Sequence, residues 1–185
     1  GTQDLTSVLV QHGVPFEYVT SHLTDREGLE KIGRFCIAAA AAAGLRRLHV
    51  GLLGYPFPGM GDFAVDTSHL AATLGCQWTA ISVEEYVLRA ASAPAADVKR
   101  LAAEYRDLYD VAPDVTDADL EATARAELSM RAIVTERRLD AFSYQFMAFG
   151  EDERCETLPF VAASRLMADG LGFAGEGDVM GAIGS

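Results

Sequence analysis

The sequence predicts an α/β fold: a three-layer, Rossmann-like domain built around a mainly parallel sheet. Short apolar runs alternate along the chain with segments whose apolar residues recur at the helical period. The segment His49–Gly54 carries a continuous apolar run bounded by glycine, as in strands that are buried on both faces. The links between elements are short. This alternation is typical of helices packed on both faces of a parallel sheet.

Each element has its own local signal. Leu5, Val8 and Leu9 share one face of a short helix that ends at Gly13, and glycines close two later helices. The predicted helices span residues 3–12, 25–44, 64–74, a segment opened by Glu84, 94–109, 116–137, 158–168 and a last segment that begins at Val179. The predicted strands span residues 16–20, 49–54, 78–83, 141–146 and 171–174.

Charge and cysteine use exclude several classes of protein. The net charge of −12 disfavours a nucleic-acid or acidic-membrane surface, and we expect a cytoplasmic protein with neither partner. The acids between Asp107 and Glu127 are expected to form a solvated helical face. Cys36, Cys76 and Cys155 lie far apart without a CxxC pair. We therefore expect reduced, mostly buried thiols rather than a zinc site or a disulfide frame.

Both ends of the sequence suggest a slice of a longer enzyme. The first residue is Gly1, without an initiator Met, and it lies within a predicted helix start. The chain stops soon after an acidic turn, Gly175-Glu176-Gly177-Asp178, before it supplies partners for that acid.

Ligand sites of parallel sheets gather at the carboxyl ends of the strands, and three places fit that rule. The first is loop 54–63, in which glycines and prolines separate Tyr55, Phe57 and Phe63. Its backbone N–H groups could approach an anion at a helix N-terminus. Alternatively, the loop is a rigid apolar surface that packs against another domain or subunit. The loop lacks GxGxxG spacing and the Lys-Ser/Thr of a phosphate loop, which disfavours a dinucleotide site.

The second place is the end of the strand predicted at 141–146. Tyr144, Gln145 and Phe146 precede Met147-Ala148-Phe149 there. Aromatic faces beside an amide suit a sugar. The alternative is a core strand whose aromatics only pack.

The third place is the acidic turn itself. A carboxylate such as Glu176, held at a strand end, is well placed to bind a metal or to move a proton. The alternative is a tight turn in which Asp178 caps the next helix. No Ser or Cys lies in a nucleophile motif such as GxSxG. Four scattered histidines are expected to be ordinary surface or core residues: His12, His22, His49 and His69.

The stretch around this turn resembles a known family. Leu158-Pro159 and the run Ala162–Asp178, with the order LP…RLM-x-x-G-x-G-FAGEGD, closely resemble the L-arabinose isomerases and their L-fucose-isomerase-like relatives. Weaker similarity extends the resemblance over almost the whole chain: Gly1–Leu5, Thr20–Asp25 and Glu127–Met130. The resemblance implies three parts: 1–22 as the tail of an N-terminal domain, 23–178 as the central domain and 179–185 as the start of the C-terminal region.

The resemblance also implies an activity and a site. Members are aldose–ketose isomerases that use a divalent metal, usually manganese, held by two Glu and two His. We expect conversion of L-arabinose to L-ribulose, or of a related sugar, through an enediol, in a homo-oligomer. Glu176 matches the acid that is a metal ligand and takes part in proton transfer, and Phe146 matches a substrate-pocket aromatic. The other ligands are expected beyond residue 185, so this chain alone should bind metal weakly and show no turnover.

The sequence departs from the family in three places, which leaves the sugar open. Met147-Ala148-Phe149-Gly150 replaces an acid-rich segment, loop 54–63 differs, and Val179 stands where the family often has Trp. Two other functions remain open on the residues alone. The chain could be a complete sugar- or anion-binding module, or a scaffolding domain whose loop 54–63 mediates subunit contacts.

Overall fold

The first of two units in the chain is a pair of helices. A computed structural model describes residues 1–150 and 152–185, and the chain divides into Gly1–Gly44 and Leu45–Ser185. The first unit holds α1 (Thr2–Gln11) and nearly all of α2 (Arg26–Leu45). Both helices were expected from the sequence. The Asp25 carboxylate accepts the backbone N–H of Glu27 at 3.1 Å, which explains the start of α2.

The strand predicted at Phe16–Thr20 is wrong. These residues carry no regular secondary structure, and the described residues of their unit contain no strand. An alternating pattern forms a strand only where a neighbouring strand can take its backbone hydrogen bonds. This unit offers helices instead.

The second unit contains a four-stranded sheet whose described strands are all parallel. The strands are β1 (His49–Leu53), β2 (Gln77–Ile81), β3 (Ala141–Tyr144) and β4 (Gly172–Ala174), in the order β2-β1-β3-β4. The helices are α3 (Thr67–Leu74), α4 (Val83–Ala91), α5 (Ala95–Leu108), α6 (Asp117–Arg137), α7 (Phe146–Gly150), α8 (Phe160–Ala168) and α9 (Val179–Gly184).

Apolar packing on both faces of the sheet gives the three layers. On one face, Phe142 and Tyr144 of β3 pack in a core with residues of α4, α6 and α8. On the other face, Val50 and Leu52 of β1 pack with Leu70 of α3 and with residues of α9. The helix α5 packs outside α6 in a separate apolar cluster. The predicted three-layer α/β fold with a parallel sheet is confirmed.

The strand predicted at 141–146 ends two residues early, and Phe146 begins α7 instead. Gln145 is the residue at which the chain turns from the strand into the helix. Its backbone N–H still donates to the carbonyl oxygen of Leu53 at 3.2 Å, as between neighbouring strands of a parallel sheet. Its side-chain oxygen then accepts the N–H of Met147 at 3.2 Å, and its carbonyl accepts that of Ala148 at 3.2 Å. A side chain that satisfies the first helical N–H groups starts a helix.

Glu127 contradicts the expectation of a solvated acidic face. Its side chain on α6 is 0% exposed. Its carboxylate accepts hydrogen bonds from Tyr105 Oη at 2.7 Å, Arg131 Nε at 2.7 Å and Arg165 Nε at 2.8 Å. These charge-assisted bonds compensate the loss of water around the charge. The acidic pattern could not show that α8 would supply Arg165.

The cysteines are less buried than expected. Cys76 is buried, Cys155 is half-buried and Cys36 is exposed on α2. In the described residues all three are free thiols.

None of the described helices combines the length and apolar character that a membrane span needs. The predicted domain bounds, 1–22, 23–178 and 179–185, stay predictions.

Candidate active site

The strand order creates a switch point between β1 and β3. The chain leaves β1 towards β2 on one side and leaves β3 towards β4 on the other. Connections that diverge in this way open a crevice at the carboxyl ends of the two strands. Three segments begin at this edge of the sheet: residues 54–66 after β1, the turn at Gln145 after β3 and residues 175–178 after β4.

Backbone hydrogen bonds tie the three segments together. The N–H of Gly177 donates to the carbonyl of Tyr144 at 3.1 Å, and the N–H of Phe57 donates to the carbonyl of Glu176 at 2.9 Å. The approach is close, because a Cβ on Gly177 would lie 2.5 Å from the carbonyl oxygen of Tyr55. The turn that carries Glu176 is therefore fixed by backbone atoms, which cannot rotate away.

Glu176 has a backbone conformation that non-glycine residues seldom adopt. Its φ is +63°, followed by +79° at Gly177. The rest of the turn is ordinary: Asp178 N–H closes it on the carbonyl of Gly175 at 3.0 Å, and Asp178 Oδ1 accepts the N–H of Gly181 at 2.8 Å. The predicted cap by Asp178 is confirmed. Turn geometry alone does not require glutamate at a left-handed position, so this conformation makes Glu176 a candidate functional residue.

A cavity of about 480 Å³ opens beside the turn. It brings together the two residues singled out by the family resemblance, Glu176 and Phe146, both half-buried. Its size is within the usual range for small-molecule sites. The lining residues are Phe63, Tyr144, Phe146, Phe160, Ala174, Gly175, Glu176 and Asp178.

The charged groups of the lining favour a cation. Among the described residues the lining contains two carboxylates, Glu176 and Asp178, and no basic side chain. Carboxylate oxygens are the donors that Mg²⁺ and Mn²⁺ favour, and the negative charge favours a cation over an anion. Asp178 already accepts a backbone N–H, so Glu176 is the acid better placed to bind a ligand.

A complete metal site is not present in the part of the chain that the structure describes. These residues contain no group of three or more His, Cys, Asp or Glu side chains with metal-binding geometry. His49 and His69, the histidines of the second unit, are not among the lining residues of the cavity. His49 Nε2 lies 2.6 Å from Thr79 Oγ1, and His12 Nδ1 lies 2.9 Å from the carbonyl of Val8. Glu176 therefore fits the role of one ligand in a larger set.

The aromatic lining comes from separate parts of the chain. The ring of Phe57 lies 6.0 Å from that of Phe146, centroid to centroid, so loop 54–63 packs on the site of its own unit. The expectation that this loop meets another domain or subunit stays a prediction; Met60, near its tip, is 43% exposed.

The sequence reasoning missed Phe160. The preceding Pro159 is a signal for a helix start, but the direction of the ring depends on how α8 packs.

Comparison with known proteins gives the family. The family profile described as the L-arabinose isomerase central domain matches residues 64–183. The chain belongs to this family. The matched range begins in the connection between β1 and β2, and it includes Phe146 and the whole turn around Glu176. The resemblance to the L-arabinose isomerases is thereby confirmed, whereas similarity to L-fucose isomerases stays a prediction.

Individual relatives align over nearly the whole chain. An L-arabinose isomerase of Nocardioides sp. is 32% identical over 183 residues, which is 96% of this chain and 36% of the relative. One of Arthrobacter sp. is 30% identical over 188 residues, covering 99% and 36%. One of Aeromonas salmonicida is 32% identical over 171 residues, covering 89% and 34%. The chain thus spans about a third of the length of these relatives.

Proposed function

We propose that this chain is the central-domain part of a metal-dependent aldose–ketose isomerase that acts on L-arabinose or a related sugar. The observation that carries the proposal is the position of Glu176. Its carboxylate lies on a strained, rigidly held turn at the switch point of the sheet, in an acidic cavity that also contains Phe146. The surrounding segment matches the L-arabinose isomerase central domain.

The chemistry follows from what a carboxylate can do beside an open-chain sugar. Interconversion of aldose and ketose moves a proton between two adjacent carbons through an enediol intermediate. Glu176 takes part in that transfer as an acid or base, and a second acid serves the other carbon. A divalent metal, which we expect to be Mn²⁺, would be held in part by Glu176 and would supply Lewis-acid polarisation of the sugar oxygens, which makes the carbon-bound proton more acidic.

Other residues at the cavity bind the sugar and keep water out of the site. The faces of Phe146 and Phe63 offer apolar surface to the C–H face of the sugar, and the backbone hydrogen bond from Phe57 fixes the turn that carries Glu176. Glu176 is one ligand of the metal in this proposal. The remaining ligands, two His and one Glu, would come from outside these 185 residues, within a homo-oligomer.

The test is L-ribulose formation from L-arabinose by the protein of the full reading frame that contains this chain. Turnover should be lost with a chelator, restored by Mn²⁺, and reduced at least about a thousandfold by Glu176→Gln. Glu153→Gln changes an exposed acid and is the matched control, which should keep wild-type turnover. The isolated 185-residue chain should show no turnover, and an ordinary enzyme rate from it would contradict the proposal.

A further inference from the structure

Two consecutive side chains at the end of β3 carry buried polar atoms without a hydrogen-bond partner. They are Tyr144 Oη and Gln145 Nε2, and the third such atom among the described residues is Trp78 Nε1 in β2. Native interiors rarely leave buried polar atoms unpaired, because the lost hydrogen bonds to water are not replaced. Such an atom on a residue that lines a cavity therefore calls for an explanation, and a bound ligand is one.

Tyr144 is the member of the pair that lines the cavity. Its side chain is 1% exposed, and the rings around it belong to Phe149 at 5.4 Å, Phe173 at 5.3 Å and Phe160 at 6.1 Å, centroid to centroid. Phenylalanine rings offer no conventional acceptor to a hydroxyl. Packing alone would be served better by phenylalanine at this position, which has the same ring and no polar atom.

We propose that Tyr144 Oη selects the substrate by a hydrogen bond to a hydroxyl group of the open-chain sugar in the cavity, at a carbon away from Glu176. The proposal rests on the isomerase function above and adds a specificity-determining residue to it. Because the hydroxyl is buried, the proposal requires a neighbouring ring to move as a ligand enters, and Phe160, 6.1 Å from Tyr144 and 54% exposed, is the neighbour with room to do so. Burial raises the pKa of the Tyr144 phenol, so it stays neutral and keeps its proton to donate.

The test compares Tyr144→Phe with wild type in the protein of the full reading frame. The variant should raise the KM for L-arabinose about three- to tenfold, the value of one neutral hydrogen bond, and change kcat much less. Its thermal midpoint should not fall, because no protein hydrogen bond is lost. Tyr105→Phe is the matched control. The Tyr105 hydroxyl donates to Glu127 at 2.7 Å, so this variant should lose stability and keep its KM.

A series of deoxy sugars then separates a substrate contact from a change in packing. Among the deoxy-L-arabinoses that wild type discriminates against, Tyr144→Phe should lose the discrimination against one alone, the sugar that lacks the contacted hydroxyl away from the reacting carbons. An unchanged KM in Tyr144→Phe, or a lowered thermal midpoint, would overturn the inference. Failure of wild type to isomerise any pentose would instead overturn the proposed function, and this inference with it.

Discussion

Replacing Gly177 with alanine tests how rigidly the candidate site is built. The new Cβ would lie 2.5 Å from the carbonyl oxygen of Tyr55 and 2.7 Å from Cα of Pro56. Both contacts are backbone atoms, so the loop must move, which breaks the bond between Phe57 N–H and the carbonyl of Glu176. Alanine at φ +79° costs about 1–2 kcal/mol, and overpacking or the shifted loop costs about 1–3 kcal/mol more. The variant should lose roughly 2–5 kcal/mol of unfolding free energy.

Urea unfolding of the chain, followed by Trp78 fluorescence, measures this loss. Trp78 is the single tryptophan and lies in β2, within the unit that contains the site. Gly175→Ala is the matched control two residues away, because a Cβ there meets no heavy atom within 4 Å. It should change the unfolding free energy by less than about 0.5 kcal/mol. If Gly177→Ala unfolds like this control, the tight contact between turn and loop does not exist in solution.

Two further predictions concern α6. Glu127→Ala should cost about 3–5 kcal/mol of unfolding free energy, because it removes the buried acceptor that Tyr105, Arg131 and Arg165 share. Glu121→Ala, which removes a surface pair at 3.9 Å, should cost less than about 1 kcal/mol. Equal losses in urea unfolding would contradict the buried network. Hydrogen bonds from Thr116 hold the pKa of Asp119 below its ordinary value. The stability that Asp119 adds is therefore complete above pH 4 and lost as the pH falls through the folded-state pKa. The difference in unfolding midpoint between wild type and Asp119→Asn should shrink below pH 4, and a constant difference would contradict the hydrogen bonds between Thr116 and Asp119.

Local patterns were enough to predict most of the fold. The glycine-bounded run at His49–Gly54, the helical period over 116–137 and the cap at Asp178 depend on neighbours in sequence, and all three have their expected structure. The strand at Phe16–Thr20 failed because a strand also needs a partner, which no local pattern supplies. Phe146 fell outside its strand because the Gln145 side chain starts a helix there.

In the candidate site, too, local patterns could not predict the features that depend on how distant segments pack. Glu176 and Phe146 were predicted from family resemblance, since a pattern cannot show that residues 30 positions apart share a cavity. The burial of Glu127 and the position of Phe160 depend on how α8 packs against α6 and β4, so neither could be read from periodicity. The unpaired hydroxyl of Tyr144 is visible only when its ring neighbours are known.

Metal binding by Glu176 is the central claim, and its most direct test is Mn²⁺ titration of the full-reading-frame protein, followed by electron paramagnetic resonance. Wild type should bind Mn²⁺, Glu176→Gln should bind it at least about tenfold more weakly, and Glu153→Gln should match wild type. Equal Mn²⁺ affinity in wild type and Glu176→Gln would contradict the account, because the strained turn would then hold its carboxylate for some purpose other than a metal.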